Sequence, residues 1–312
     1  MADYKKILYD FWENIRVNNA ADYKYGVDMT GYKKEAHISY IPDYNPMHML
    51  NLYYPEDHVI GGGEMLPTII VIHGGGWMYG VIDESERFLG YLASKGYAVM
   101  AMNYRLLQET DLQGQVSDIY HAIHWLEKYG PKRGFDLSRV LITGDSAGGH
   151  LSILTASIKE NIPLQHKYGV TPFGFKLSAI AVSCPVAEVD KLYIAGSRYD
   201  DVGVGTAREY VRLMLGEMGE KAAYNGFMSA SEVVEGINLP PVLIIGTEHD
   251  SLHEHTGYMI ECLTSNHHKF ETMIWPAGDG CHLCHVFNVA HPEWLESMQS
   301  NERMLEFFVR NM

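Results

Sequence analysis

The segment LITGDSAGGHLS contains a G-x-S-x-G run from Gly144 to Gly148, with Ser146 at its centre. It falls where an apolar strand pattern gives way to a helical one. A serine at such a sharp turn is held in a strained backbone and needs small neighbours, which Gly144 and Gly148 supply. The turn lifts the hydroxyl clear of the strands. It also sets it over a helix N-terminus, where developing negative charge is favoured. That is the chemistry of nucleophilic attack on a carbonyl. A second run, IHGGGWMYG (Ile72 to Gly80), ends an earlier strand pattern. Consecutive glycines leave backbone N–H groups free to face a ligand oxygen. Gly74 and Gly75, with Ala147, are therefore the expected oxyanion donors. The run is not a phosphate loop, because it lacks the G-K-[ST] ending.

A serine hydroxyl near neutral pH needs a base, and the base needs a carboxylate to set its tautomer. For a strand–turn–helix serine the chain order is Ser, then Asp or Glu, then His. Downstream, VLIIGTEHDSL ends a strand with Glu248 and Asp250 in reach, and Asp250 sits farther into the loop. After the next strand comes PAGDGCHLCHVF, with His282 and His285. This stretch also admits two other readings. Cys281, Cys284 and His285 spell C-x-x-C-H, the signature of covalent haem attachment. Two thiols beside two imidazoles are also zinc donors. Haem attachment calls for export, yet Asp10 and Glu13 interrupt any apolar leader in MADYKKILYDFWENIR. A zinc site lacks a second C-x-x-C or H-x-x-x-H pair at finger spacing. A catalytic-histidine loop that contains two cysteines meets the need that Ser146 creates, and it predicts neither a metal nor a cofactor. The cysteines carry one further expectation. A Cys281–Cys284 disulfide, or Zn²⁺ held between them, would distort the loop and inhibit.

HGGGW and GDSAGG, in this order, resemble the α/β-hydrolases of the hormone-sensitive-lipase-like esterase group. The details are similar to the branch with bacterial feruloyl and acetyl esterases that act on plant polysaccharides. The resemblance covers roughly residues 48 to 310. It implies a catalytic histidine that precedes a small or branched residue and then Phe. His285-Val286-Phe287 fits, which selects His285 over His282. Carried over by position, Ser146 is the nucleophile, Asp250 the acid and His285 the base. The implied activity is a serine carboxylesterase for short-chain or carbohydrate-linked esters, working without a cofactor. Two alternatives keep the fold. Arylformamidases carry a similar HGG-x-W loop. Plant gibberellin receptors resemble the same group without the catalytic histidine, whereas all three candidates stand in this chain.

Elements must position these residues. Apolar strand patterns run over 66–73, 97–104, 139–144, 179–184, 241–246 and 271–276. Helical patterns run over 116–129, 147–160, 253–266 and 293–311. This alternation predicts an α/β fold, a mainly parallel sheet with helices on both faces. Met49 to Pro55 reads as an antiparallel edge strand. Residues 1–45 and 186–238 do not fit the alternation and are expected to fold as a small cap on one domain. Tyr193, Tyr199 and Tyr210 in the inserted segment, Trp77 beside the glycines and Asp145 before the serine are candidate substrate contacts.

Hydrophobic residues make up 46% and charged residues 20%, an ordinary globular balance, and the net charge of -15 argues against nucleic acid or an anionic membrane as partner. No apolar run reaches the roughly 18 residues of a membrane span. The expectation is a cytoplasmic enzyme acting on a small-molecule ester, with a homodimer common among the esterases it resembles. Four cysteines, Cys184, Cys262, Cys281 and Cys284, are too sparse for a disulfide framework.

Overall fold

In the computed structural model, which describes residues 2–22, 29–216, 227–278 and 282–312, the apolar runs pair into one eight-stranded sheet. Its strands are β1 (Tyr32–Ser39), β2 (Met49–Pro55), β3 (Leu66–Ile72), β4 (Ala98–Met102), β5 (Phe135–Asp145), β6 (Ala179–Ser183), β7 (Val242–Thr247) and β8 (Phe270–Trp275). The spatial order is β1-β2-β4-β3-β5-β6-β7-β8. β1 and β2 run antiparallel to their neighbours, and the other strands are mutually parallel. The central strands are buried on both sides, which is why they read as continuous apolar runs.

Residue alternation along the strands divides the core in two. Ile70, Ile72, Val140, Ile142, Val182 and Ile244 share one face with α3 (Leu112–Tyr129) and α4 (Ala147–Glu160). Their neighbours Ile69, Val71, Leu141, Ala181 and Ile245 face the opposite way, towards α2 (Glu86–Ser94) and the helix Leu295–Asn311. The mainly parallel sheet with helices on both faces is thus the architecture the sequence predicts. No helix of the described residues is long and apolar enough to cross a membrane.

Two expectations about the chain's first part are corrected. β2 has the expected range and direction, but it is not the edge, because β1 pairs outside it. Residues 32–39 therefore extend the sheet, although 1–45 was expected to fold as cap. Their sequence, YKKEAHIS, is polar because the strand is half-exposed and solvated, and its lysines suit an edge that must not recruit another strand. α1 (Tyr4–Asp22) does leave the sheet. It packs against α6 (Asp201–Leu215), which comes from the inserted segment and follows the short α5 (Ile162–Tyr168), and Leu8, Tyr210 and Met214 are buried there. Gly205 permits the approach, since a Cβ there would overlap the Tyr4 ring. Side-chain carboxylates cap two of the helices: Asp111 accepts from Gly114 N at 2.9 Å for α3, and Asp200 from Gly203 N at 2.6 Å for α6.

The tightest packing lies where α4 begins. A Cβ on Gly148 would collide with the Ile72 carbonyl oxygen, and one on Gly144 with the Gly148 backbone. Only glycine lets the first turn of α4 rest on the end of β3. Both neighbours are main chain, so neither can rotate away. Gly148→Ala should therefore destabilise the fold by about 1–3 kcal/mol, as an overpacked core site does. Thermal unfolding checks this; an unchanged melting temperature would refute the tight contact.

Candidate active site

Ser146 sits between β5 and α4 with φ 51° and ψ -116°. A non-glycine residue keeps such a conformation only when its surroundings enforce it. Three hydrogen bonds do so. The Ser146 N–H donates to Ser183 O at 2.9 Å, and its carbonyl accepts from His150 N at 3.1 Å and Val186 N at 3.2 Å. A serine at this helix position usually turns its hydroxyl onto the first-turn N–H groups. Ser146 makes no such capping bond. It lines a cavity of about 340 Å³ instead.

His285 lines the same cavity. Its Nδ1 lies 2.9 Å from Asp250 Oδ1, which also accepts from Leu252 N at 2.8 Å. Asp250 is delivered by the turn after β7, and its side chain is 1% exposed against 29% for His285. Burial by itself would raise the Asp250 carboxyl. The bond to His285 and that ring's charge outweigh it and hold the group below its ordinary value. With Nδ1 donating to the carboxylate, Nε2 is left as the ring's acceptor. Glu248, the other carboxylate in this turn, accepts from Ala277 N at 2.9 Å. His282 points elsewhere, 3.6 Å from Glu296 and edge-on to Trp294.

The glycine loop corrects one sequence expectation. The Gly74 N–H is not free for a ligand, because it donates to Asp145 Oδ1 at 3.1 Å. Gly75 and Gly76, at φ 109° and 55°, make the turn that follows. The Gly75 carbonyl accepts from Met78 N and Tyr79 N, both at 3.0 Å. Among the described residues, the N–H groups of Gly75, Gly76 and Ala147 donate to no acceptor. His73 braces the loop from below. Its Nδ1 meets Gly74 O at 2.8 Å, its ring stacks on Tyr104 at 4.4 Å, and the Tyr104 hydroxyl donates to His73 O at 2.8 Å. Burial lowers His73 to about 4, so this imidazole is neutral.

Asp145 lines the cavity, but its carboxylate is turned to the loop. Trp77 is fully buried outside the cavity, packed on His150 at 5.1 Å and Tyr210 at 5.8 Å. Its φ of 57° carries the ring away from the glycines and into the core. Tyr193 does not line the cavity either; its neighbour Ile194 does. Tyr210 is buried and Tyr199 is 83% exposed. The aromatic wall comes from α1, as Phe11 and Trp12, together with Ile15. A Cβ on Gly76 would meet the Trp12 ring, so that indole lies directly on the loop. In the sequence this wall shows only as the adjacent aromatic pair Phe11-Trp12. Cys281 lies outside the described residues, and with it the expected pairing to Cys284.

The family model BD-FAE matches residues 50–256, well over half of the chain. The chain belongs to the BD-FAE family. Esterase B from Lactobacillus rhamnosis (HN001) is similar over 99% of this chain and 96% of its own, at 38% identity and a TM-score of 0.90. The same esterase is known inhibited by a C4-C4 SN3 tributyrin phosphonate, again at 38% identity. Carboxylesterase NlhH of Mycobacterium tuberculosis is 32% identical over 98 residues, 31% of this chain and 31% of its own length. The match thus spans about a third of that curated relative. A bacterial heroin esterase shares the fold at 21% identity and a TM-score of 0.68. The fold is that of the α/β-hydrolase esterases.

Asp145 makes stability depend on pH. Burial pushes its carboxyl up to about 6, against the opposing pull of His285 and the Gly74 N–H. A carboxyl raised in the folded state contributes stability that is full below about 3.8 and lost as pH rises through about 6. Asp145→Asn keeps an oxygen for Gly74 and does not titrate. Relative to the wild type, it should therefore gain stability between pH 4 and pH 7, by up to about 3 kcal/mol. Denaturant unfolding of both proteins at the two pH values checks this, and parallel curves would contradict it.

Proposed function

We propose that the protein is a serine carboxylesterase that hydrolyses short-chain esters through an acyl-enzyme. The observation that carries this reading is the 2.9 Å Asp250–His285 pair, which shares one cavity with the strained Ser146. His285 Nε2 takes the Ser146 proton as Oγ attacks the ester carbonyl. The N–H groups of Gly75, Gly76 and Ala147 receive the oxyanion; each such donor is worth about 2.7–4 kcal/mol in the transition state. Asp250 stabilises the imidazolium that forms. His285 returns the proton to the leaving alcohol, and water then releases the acyl group by the same steps. The chain's own residues supply every proton transfer.

Short acyl chains are favoured by size. A cavity of about 340 Å³ stands near the small end of ligand sites. The tributyrin phosphonate bound by the related esterase B points to C4 groups as well. A second reading is carbohydrate-linked acetyl or feruloyl esters. It is favoured by the aromatic wall of Phe11 and Trp12, on which a ring would stack.

Ser146→Ala should lower turnover of p-nitrophenyl butyrate and tributyrin by at least about 10⁴-fold. Retained turnover in that variant would sink the proposal. Across acetate, butyrate and octanoate esters the wild type should favour the two short ones, and methyl ferulate assayed alongside decides between the readings. Trp12→Ala removes the wall. It should raise the octanoate-to-butyrate ratio of kcat/KM by roughly tenfold, as a few methylenes gain room. An unchanged ratio would place the acyl chain elsewhere.

A further inference from the structure

One buried nucleophilic group beside this site takes no part in the proposed reaction. Cys184 follows β6 and is 1% exposed. Its backbone holds φ 45°, and its N–H donates to Ile245 O at 2.8 Å, which ties it to the end of β7. The thiol lies against Asp250, and the Val286 N–H reaches the sulfur. Asp250 Oδ1 has two donors, as described above. Oδ2 is buried with no N–H donor among the described residues, and the carboxylate faces the Cys184 thiol. One sulfur, one carboxylate oxygen and one imidazole nitrogen, from Cys184, Asp250 and His285, lie within 4.8 Å of one another.

We propose that Cys184, Asp250 and His285 form a site for one zinc-class divalent cation, and that filling it switches the enzyme off. The donor set is what selects the ion. Sulfur, nitrogen and oxygen together suit Zn²⁺ or Cd²⁺, whereas Mg²⁺ and Ca²⁺ require oxygen ligands throughout. Bond lengths of about 2.0–2.3 Å in a tetrahedron put the donors roughly 3.5 Å apart. The His285–Asp250 pair, now at 2.9 Å, must therefore open by about half an ångström. Entry is past His285, which borders the open cavity.

Inhibition follows from the proton balance. The cation replaces the Cys184 thiol proton, which goes to solvent. It also takes the Nδ1 position of His285, so that ring's proton moves through solvent to Nε2. Nε2 is the nitrogen that must accept the Ser146 proton, and the base is thereby blocked. The inhibition rests on the esterase reading, but the binding does not. The site also differs from the expected one at Cys281 and Cys284, since Cys184 follows β6 instead of lying in the loop after β8.

The test uses chelator-treated full-length protein. Zn²⁺ should inhibit p-nitrophenyl butyrate hydrolysis reversibly with EDTA, and Mg²⁺ should not. Losing a direct ligand costs at least as much as losing a group that orients one, so Cys184→Ala should raise the half-inhibiting Zn²⁺ roughly tenfold or more. Co²⁺ should give a thiolate charge-transfer band in the wild type and in Ser146→Ala. The band should vanish in Cys184→Ala and persist in the double variant Cys281→Ser/Cys284→Ser. Should Cys184→Ala fail to fold, the near-isosteric Cys184→Ser reads the same band. Absence of the band in the wild type overturns the proposal, as does its loss in the double variant alone. A band without ester turnover would retain the metal site and overturn the esterase reading instead.

Discussion

The contact on which the site depends is between main chains. The first turn of α4 rests on the carbonyls of Ile72 and His73 with no side chain between, because residues 144 and 148 are glycines. That approach brings the end of β3, with its glycine loop, beside the turn that carries Ser146. Asp145 then ties the two together by accepting the Gly74 N–H. The loop is fixed from below by the neutral His73 on Tyr104. Two segments more than seventy positions apart in the chain thus share one rigid frame. A preorganised oxyanion site needs this, because donors that must move into place return part of their stabilisation as reorganisation.

The other half of the site is built from strand register. β6, β7 and β8 are parallel and in step, so the turns that follow them emerge at one edge of the sheet. The turn after β7 brings Asp250, the loop after β8 brings His285, and the end of β6 brings Cys184. Burying a carboxylate is unfavourable unless its oxygens are paired. Asp250 satisfies one oxygen twice, through Leu252 and His285, and leaves the other facing the thiol. Held beside the Cys184 thiol, this carboxylate is also what the proposed cation would bind.

What could be read from the chain follows from how local each constraint is. The requirement for glycine at 144 and 148 is steric and near in sequence, so the motif around Ser146 displayed it. Strands buried on both faces had to be apolar, and they were visible with boundaries mostly within a residue or two. β1 was hidden because a half-exposed edge strand is polar. Gly74 was misread because a side chain 71 residues away claims its N–H. Trp77 looked like a pocket residue through its neighbours in the chain, yet its backbone turns it into the core. The wall formed by Phe11 and Trp12 depends on packing α1 against α6, which no periodicity displays. The choice between His282 and His285 needed the resemblance. Glu296, which draws His282 aside, is known only from the fold.

The charges around the cavity fit a reaction that makes an acid. Asp250 holds Nδ1 of His285, Asp145 acts on the same ring, and Glu84 borders the cavity, with burial raising its carboxyl. Carboxylates on this side stabilise the imidazolium that the proposed first step creates. They would oppose the oxyanion, had the glycine N–H groups not been set between. Asp145 illustrates the separation: its oxygen is turned to Gly74, so its charge is held off the face where Gly75, Gly76 and Ala147 present hydrogens. The proposed hydrolysis would end with a carboxylate in this same cavity, inside a chain with a net charge of -15. The negative field of these carboxylates then works against retention of the product. A neutral ester enters without that opposition, so the same carboxylates favour one direction of traffic through the cavity.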